Sequence, residues 1–332
     1  MNPIRSLLAL SLLLSAVAVS ACGGSSDDAA GGSSKLSLVA YSTPKEAYEQ
    51  IIPAFAKTPQ GDGVTFSQSY GNSGDQARAI LAGLPADVAA LSLEPDITKL
   101  VKAKLVVPGW NGTPTKGIVT RSVVALAVRP GNPKHIAGWD DLVKPGVAVL
   151  TPNPFTSGGA RWNVMAAYGA QIERGRSDAQ AQAYLQTLFK NVAVQDKSAR
   201  EALQTFTGGK GDVLISYENE AITAQQKGEK LEYVIPDETI LIENPIAALT
   251  KAGPKAKAFV DYVTTAPAQR IFAAKGYRSV LPALVDKQKY PDPPKQFEIT
   301  KFGGWDAVMQ KFFDPKDSVM QRIEQGLGVS TG

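Results

Sequence analysis

Apolar residues recur along this chain in short alternating runs, each followed by a run with helical spacing. Leu36, Leu38 and Ala40 alternate with other residues as in a half-buried strand, and apolar positions three and four apart follow from Tyr48 to Phe55. The same succession returns three times, with strands predicted at 64–66, 147–150 and 192–194 and helices from 73, 157 and 198. An alternating order of strands and helices predicts an α/β fold.

Each of these strand-to-helix turns carries a hydroxyl residue suited to cap the helix. Thr43, Ser73 and Ser198 are each followed three residues later by Glu or Gln, the spacing of a capping box, and Ser157 is followed by two glycines. The first turn of a helix has unpaired N–H groups and the positive end of the helix dipole, so it can hold a small anion without a cationic side chain. In an open α/β sheet, ligands bind beyond the carboxyl ends of the strands. The pattern therefore predicts an oxyanion site at these turns.

The central loop is the segment 153–163, which reads Asn-Pro-Phe-Thr-Ser-Gly-Gly-Ala-Arg-Trp-Asn. Pro152 and Pro154 are expected to end the strand before it, because proline lacks the N–H that a strand ladder requires. Gly158 and Gly159 carry no side chain that would shield the first N–H groups of the following helix. This loop is therefore the strongest candidate for contact with an anion.

Two apolar segments are predicted to cross between two lobes. They are Val119–Val128 and Ile240–Leu249, and the second contains Pro245, which fits an edge or hinge strand better than a central one. A chain of 332 residues, 44% hydrophobic and 20% charged, is long enough for two lobes. We assign the first lobe to 36–121 plus 247–332 and the second to 122–246, with a ligand cleft between them.

The amino terminus has the pattern of an export signal. Residues 1–21 combine Arg5 with an apolar run that is short for a membrane span and typical of a signal peptide. Cys22, the only cysteine, follows small residues in a way that resembles the lipobox of bacterial lipoproteins; the alternative is an incidental cysteine after a plain cleavage site. Residues 22–35 then form a lipidated cysteine and a flexible linker. We therefore expect a protein lipid-anchored to the outer face of the cell membrane, or in the periplasm.

The charge of the chain and its single cysteine bear on its possible ligands and on its covalent cross-links. Without the signal, 34 basic residues stand against 31 acidic ones, a formal charge of +3 with no block of like charge, so nothing indicates nucleic acid binding. A single cysteine allows no intrachain disulfide.

Nothing in the sequence nominates a catalytic group. The one histidine, His135, lies in a turn where a solvated side chain is expected, and no nucleophile elbow, Walker loop, dinucleotide fingerprint or zinc cluster is present. Asp87 is interpreted as structural, and Glu218 and Glu220 as solvated or paired carboxylates that flank Tyr217, a possible site residue. We expect no enzyme, no cofactor and no metal.

The central loop closely resembles the signature of the prokaryotic sulfate-binding proteins of ABC importers, Asn-Pro-Lys-Ser/Thr-Ser-Gly-x-Ala-Arg. Further matches in the same order lie at 69–76, 86–88, 217–221 and 302–305, so the resemblance runs from about residue 36 to 305. It implies a two-lobed periplasmic-binding-protein fold of type II, in which each lobe is a mixed sheet flanked by helices and the ligand lies in the cleft.

In the family that this chain resembles, the dianion is held by main-chain N–H groups, one serine hydroxyl and one indole N–H, without a counter-charge. The resemblance implies contacts from Ser42 and Ser73, a hydroxyl from Ser157, backbone N–H groups from Gly158, Gly159 and Ala199, and Tyr217 at the indole position. Phe155 replaces the lysine of the signature and is expected to face away from the anion.

The resemblance implies high-affinity capture of sulfate by a monomer and delivery to a permease that a separate cytoplasmic ATPase powers. Thiosulfate is the alternative ligand, and a hydrolase of sulfate or phosphate esters is the alternative from another class. A donor-only site should reject phosphate, which keeps a proton at pH 7. Tyr217 differs from an indole because its hydroxyl can also accept a hydrogen bond. The site is therefore expected to be less strict against protonated oxyanions or shifted between sulfate and thiosulfate.

Overall fold

The computed structural model describes residues 34–329, so the predicted signal peptide, Cys22 and nearly all of the linker lie outside the described residues. Ten strands occur within this range: β1 Ser34–Tyr41, β2 Val64–Gly71, β3 Val88–Ala90, β4 Ile118–Val128, β5 Val149–Pro152, β6 Val192–Asp196, β7 Val213–Tyr217, β8 Glu232–Val234, β9 Glu238–Ala248 and β10 Lys295–Phe297. No helix in the described part is both long enough and apolar enough to span a bilayer.

Eleven α-helices occur in the same range, and a helix follows each of the strands β1, β2, β5 and β6, as the hydrophobic pattern predicts. They are α1 Lys45–Ala56, α2 Ser73–Leu81, α3 Glu94–Lys102, α4 Gly158–Glu173, α5 Asp178–Lys190, α6 Ala199–Thr207, α7 Glu218–Gln226, α8 Pro254–Tyr262, α9 Ala266–Ala274, α10 Gly304–Phe313 and α11 Val319–Gly326.

The strands form two mixed groups within one continuous network. In the first group β1 lies between β2 and β3 and is parallel to both, and the end of β9 pairs antiparallel with β3. In the second group β5 lies parallel to β6 and β7, while β4 pairs antiparallel with β7 and β8. The prediction of mixed sheets flanked by helices is therefore confirmed.

The two long strands β4 and β9 connect these groups. They pair antiparallel from Ile118 with Pro245 to Val123 with Leu241. Beyond this stretch β4 continues against β7, and β9 continues against β3. Pro245, where the sequence pattern indicated an edge or hinge, lies where β9 changes partner from β4 to β3, so β9 is an internal crossing strand and not an edge.

Two of the hydrophobic clusters largely follow the same division. Tyr48, Phe55 and Phe272 belong to a cluster of the first group, and Trp139 belongs to the cluster of the second. The C-terminal helices α10 and α11 also contribute to the second cluster, through residues such as Phe312. The lobe boundaries stay a prediction, and this packing argues for counting 295–329 with the second lobe.

The predicted helix caps are correct at two turns and wrong at two. Ser157 Oγ accepts a hydrogen bond from the Ala160 N–H at 3.3 Å, and Ser198 Oγ accepts one from the Glu201 N–H at 3.2 Å. Thr43 does not cap α1, because Pro44 occupies the N-cap position and Glu46 is drawn into ion pairs with Arg200 and Lys227.

Ser73 is also not a cap, because its neighbour performs that role. Asn72 Oδ1 accepts a hydrogen bond from the Asp75 N–H at 2.8 Å, and Ser73 is the first residue of α2. The Ser73 hydroxyl instead donates to Asp96 Oδ2 at 2.7 Å and accepts from the Ser92 N–H at 3.0 Å. These long-range partners decide between two residues that are both good caps.

Candidate anion-binding site

A small cavity lies beyond the carboxyl ends of six strands, β1, β2, β3, β5, β6 and β7. Its volume is ≈ 10 Å³, far below the roughly 300–1,000 Å³ of pockets for drug-sized ligands. The structure brings together in its lining all seven residues that the sequence singles out: Ser42, Ser73, Ser157, Gly158, Gly159, Ala199 and Tyr217.

Six further residues line the cavity: Tyr41, Thr43, Gly71, Asn72, Ser92 and Ser198. Most are chain neighbours of predicted residues, but Ser92 was missed by the sequence analysis. It follows β3, whose end lies at the same edge of the sheet as the ends of β1 and β2. That position after a strand is the one signal that could have identified it.

The start of α4 supplies backbone N–H donors to the cavity. Ser157 Oγ takes the Ala160 N–H, which leaves the N–H groups of Gly158 and Gly159 with no protein acceptor among residues 34–329. A Cβ atom at Gly158 would lie 2.7 Å from Ser92 Oγ, and one at Gly159 would lie 3.3 Å from Ala199 Cβ. Gly158 is therefore required by the close approach of Ser92, whereas a Cβ at Gly159 would make a tight contact.

The starts of α2 and α6 add backbone donors. Within the described part of the chain, the N–H groups of Ser73 and Ala199 have no protein acceptor. The Ser73 hydroxyl is already committed to Asp96 and Ser92, and Ser198 Oγ lies 3.2 Å from Glu201 Oε1. The two helix starts therefore offer the cavity N–H groups, but Ser73 and Ser198 offer no free hydroxyl hydrogen. By contrast, the hydroxyl hydrogen of Ser157 has no acceptor within residues 34–329.

Tyr217 ends β7 and begins α7, and only 1% of its surface is exposed. Its hydroxyl lies 2.8 Å from Ser92 Oγ, and either oxygen can be the donor. Burial raises the pKa of Tyr217 well above its usual value, and the hydrogen bond with Ser92 only partly offsets this effect. The phenol is therefore neutral at physiological pH.

No charged side chain lines the cavity among the described residues. Arg200, next to Ala199, turns its guanidinium to Glu46 at 2.5 Å and to Glu220 at 3.0 Å. Burial alone would raise the pKa of Glu46, but hydrogen bonds from Arg200 and Lys227 outweigh it and lower the pKa to about 2. The charges of this network therefore neutralise one another.

The remaining titratable residues that the sequence analysis considered are structural. Asp87 Oδ2 accepts a hydrogen bond from the Ser37 N–H at 2.7 Å, and Glu218 pairs with Arg278 at 2.8 Å. His135 is exposed in a turn. Within residues 34–329 no group of His, Cys, Asp and Glu is arranged to hold a metal ion.

The profile of the family described as bacterial extracellular solute-binding proteins matches residues 36–278 of this chain. This chain belongs to that family. The solute-binding protein is also similar to a solved structure, the sulfate-binding protein SubI from Mycobacterium tuberculosis H37Rv, with 42% identity and a TM-score of 0.82 over 85% of this chain and all of the other.

Named relatives of this solute-binding protein extend the same similarity. It is 46% identical to a sulfate-binding protein of Synechococcus elongatus, over 90% of this chain and 89% of the relative. It is 36% identical to a thiosulfate-binding protein of Escherichia coli, over 82% and 86% of the two chains. The family resemblance that the motifs indicate and the predicted periplasmic-binding-protein fold are both confirmed.

Proposed function

We propose that this protein captures sulfate outside the cytoplasm and delivers it to the permease of an ABC importer. The observation that carries the proposal is a cavity whose polar lining consists of uncharged N–H and O–H groups at converging helix starts. Helix N-termini favour anions, and donors without acceptors favour an anion that bears no proton. Sulfate at pH 7 meets both conditions.

The number of donors is sufficient for tight binding. About six hydrogen bonds to a charged group, at roughly 1.5–3 kcal/mol each, sum to about 9–18 kcal/mol before costs. Dehydration of the dianion and closure of the protein around it remove part of this. Because about −8 kcal/mol corresponds to a micromolar dissociation constant, we expect micromolar or tighter affinity.

Phosphate should bind more weakly. It keeps at least one proton at pH 7, and at the helix starts that O–H would face backbone N–H groups that cannot accept it. An unmet buried polar group costs about 1–3 kcal/mol, which corresponds to roughly 5-fold to 150-fold weaker binding.

Thiosulfate is the second candidate ligand, because the chain is also similar to proteins named as thiosulfate-binding. Isothermal titration of the mature protein with sulfate, thiosulfate and phosphate at pH 7 separates these possibilities. Tight sulfate binding with weaker thiosulfate supports the proposal. A preference for thiosulfate keeps the site and changes the ligand, and no heat with any of the three would overturn the anion site.

A binding role without catalysis is part of the proposal. The alternative ester hydrolase needs a base beside Ser157, and the cavity lining within residues 34–329 contains no histidine or carboxylate. Turnover of an aryl sulfate by the purified protein would support the alternative function as an ester hydrolase.

We further propose that Cys22 anchors the mature chain to the membrane and that a monomer of two lobes closes over the ligand. The lipobox-like segment before Cys22 supports the anchor, and the crossing of β4 and β9 supports the hinge. Mass spectrometry of the mature N-terminus tests acylation. Small-angle scattering with and without sulfate tests closure.

A further inference from the structure

We propose that Ser92 and Tyr217 act as one hydroxyl pair that lets this site accept a singly protonated tetrahedral oxyanion, such as hydrogen phosphate, beside sulfate. Their oxygens lie 2.8 Å apart, and both residues line the cavity. Each is 1% exposed. The inference rests on the proposed anion site and names the residues that set its strictness.

Ser92 is held in place from several directions. Its N–H donates to Ser73 Oγ at 3.0 Å, and its carbonyl accepts from Trp162 Nε1 at 3.1 Å and from Asn244 Nδ2 at 3.0 Å. A Cβ atom at Gly158 would meet Ser92 Oγ at 2.7 Å, so the hydroxyl lies directly beside the first N–H group of α4. The backbone of Ser92 therefore cannot move away from the anion without breaking these contacts.

The pair has a property that backbone N–H groups lack. A hydroxyl both donates and accepts, so two hydroxyls that share one hydrogen bond keep one hydrogen and free lone pairs. When the anion carries no proton, the remaining hydrogen donates to it. When the anion carries a proton, the oxygen of the donating partner can accept it while the other hydroxyl still donates.

Two other hydroxyls around the cavity already take part in hydrogen bonds within the protein. Ser73 Oγ already donates to Asp96 and accepts from Ser92, and Ser157 Oγ already accepts from Ala160. Ser37 Oγ lies 3.0 Å from Ser67 Oγ in a similar hydroxyl pair outside the cavity. Ser37→Ala therefore serves as a control for the loss of one hydroxyl outside the binding site.

The test compares sulfate and phosphate binding by calorimetry at pH 7 in the mature protein and its variants. Removal of both hydroxyls, in Ser92→Ala with Tyr217→Phe, should weaken phosphate binding about tenfold more than sulfate binding, because the P–OH group loses its acceptor. Ser37→Ala should leave the ratio of the two affinities within about threefold of the original.

Each result supports or overturns a distinct statement. No sulfate binding by the unmodified protein would overturn the proposed function. Sulfate binding with an unchanged ratio in the double variant, or an equal change in Ser37→Ala, would overturn the hydroxyl pair alone. If the double variant does not fold, the unmodified protein still decides: millimolar phosphate must give a measurable binding heat that competing sulfate abolishes, and its absence overturns the inference.

Discussion

The anion cavity and the ion network beside it use opposite means of interaction. The cavity is lined by N–H and O–H groups and, within residues 34–329, by no charged side chain. Arg200 follows Ala199 of the cavity lining and contacts Glu46 of α1 and Glu220 of α7. Lys227 also contacts Glu46. Charged side chains are thus present within a few residues of the cavity, but they form ion pairs with one another.

This difference is consistent with the proposed tight and selective binding of sulfate. A guanidinium in the cavity would attract any anion, whatever its protonation state, because Coulomb attraction is not directional. Fixed N–H groups instead require an acceptor at each position. The charged groups of the ion network pair with one another and do not line the cavity. Their pairs connect helices that begin around it.

Introduction of a charge into the cavity should have the largest effect. Ser157→Asp keeps a good cap for α4, because Asp and Ser are similar as N-caps, but it places a carboxylate against the dianion. Two unit charges about 4 Å apart repel by about 4 kcal/mol at an effective dielectric constant of 20, so sulfate affinity should fall roughly 1,000-fold or more.

Ser177→Asp is the control for this change. Ser177 caps α5 in the same way, with Oγ accepting from the Gln180 N–H at 3.3 Å, but it is exposed and lies outside the cavity. Titration calorimetry should find its sulfate affinity unchanged. Tight sulfate binding by Ser157→Asp would contradict the placement of the anion at α4.

A methyl group at the start of α4 should have the next largest effect. In Gly158→Ala the new Cβ would lie 2.7 Å from Ser92 Oγ and 2.8 Å from Ser92 Cβ, so the helix start or Ser92 must shift. We expect sulfate affinity to fall about 100-fold, because two or more hydrogen bonds lose their geometry. Gly109→Ala, where a Cβ meets nothing within 4 Å, should bind as the original protein does.

Removal of one hydroxyl should have a smaller effect. Ser157→Ala deletes a donor to the anion and the cap of α4, so affinity should fall about 10-fold to 100-fold, and the free energy of unfolding should fall by about 1 kcal/mol. Ser177→Ala should show the same loss of stability without a loss of affinity. Equal affinities in both variants would show that the Ser157 hydroxyl does not contact the ligand.

Neutralisation of Glu46 should affect acid stability and leave recognition unchanged. The pKa of Glu46 is about 2 in the folded protein, below its usual value of 4.5. Its charge therefore stabilises the fold above pH 4.5, and this contribution is lost as the pH falls towards 2. Glu46→Gln should lose less stability than the original protein over that window in chemical unfolding experiments.

Asp178→Asn is the control for a change in acid stability at a position away from the cavity. A hydrogen bond from Lys311 is the main cause that lowers the pKa of Asp178 to about 2, and Asp178 does not line the cavity. Asp178→Asn should flatten the pH dependence of stability between pH 3.8, the usual pKa of the residue, and about pH 2. Both variants should keep the ratio of sulfate to phosphate affinity, and a tenfold change in Glu46→Gln alone would mean that the network takes part in selectivity.

Local patterns in the sequence were sufficient for most of the secondary structure and of the candidate site. The caps at Ser157 and Ser198, the glycines after Ser157 and the alternation of strands and helices act over a few residues, so they can be read from neighbours in the chain. Because the carboxyl ends of strands meet at one edge of a sheet, loops recognised one by one could be expected to form one cavity.

Only the tertiary structure decided the features that depend on distant partners. Asn72 displaces Ser73 as the cap because Asp96 and Ser92 hold the Ser73 hydroxyl, and Glu46 pairs across to Arg200 instead of capping its own helix. The pairing of Ser92 with Tyr217 joins residues 125 positions apart. Caps and periodicity are set by chemistry within one turn, whereas contacts of this kind exist only once the strands have taken their order in the sheet.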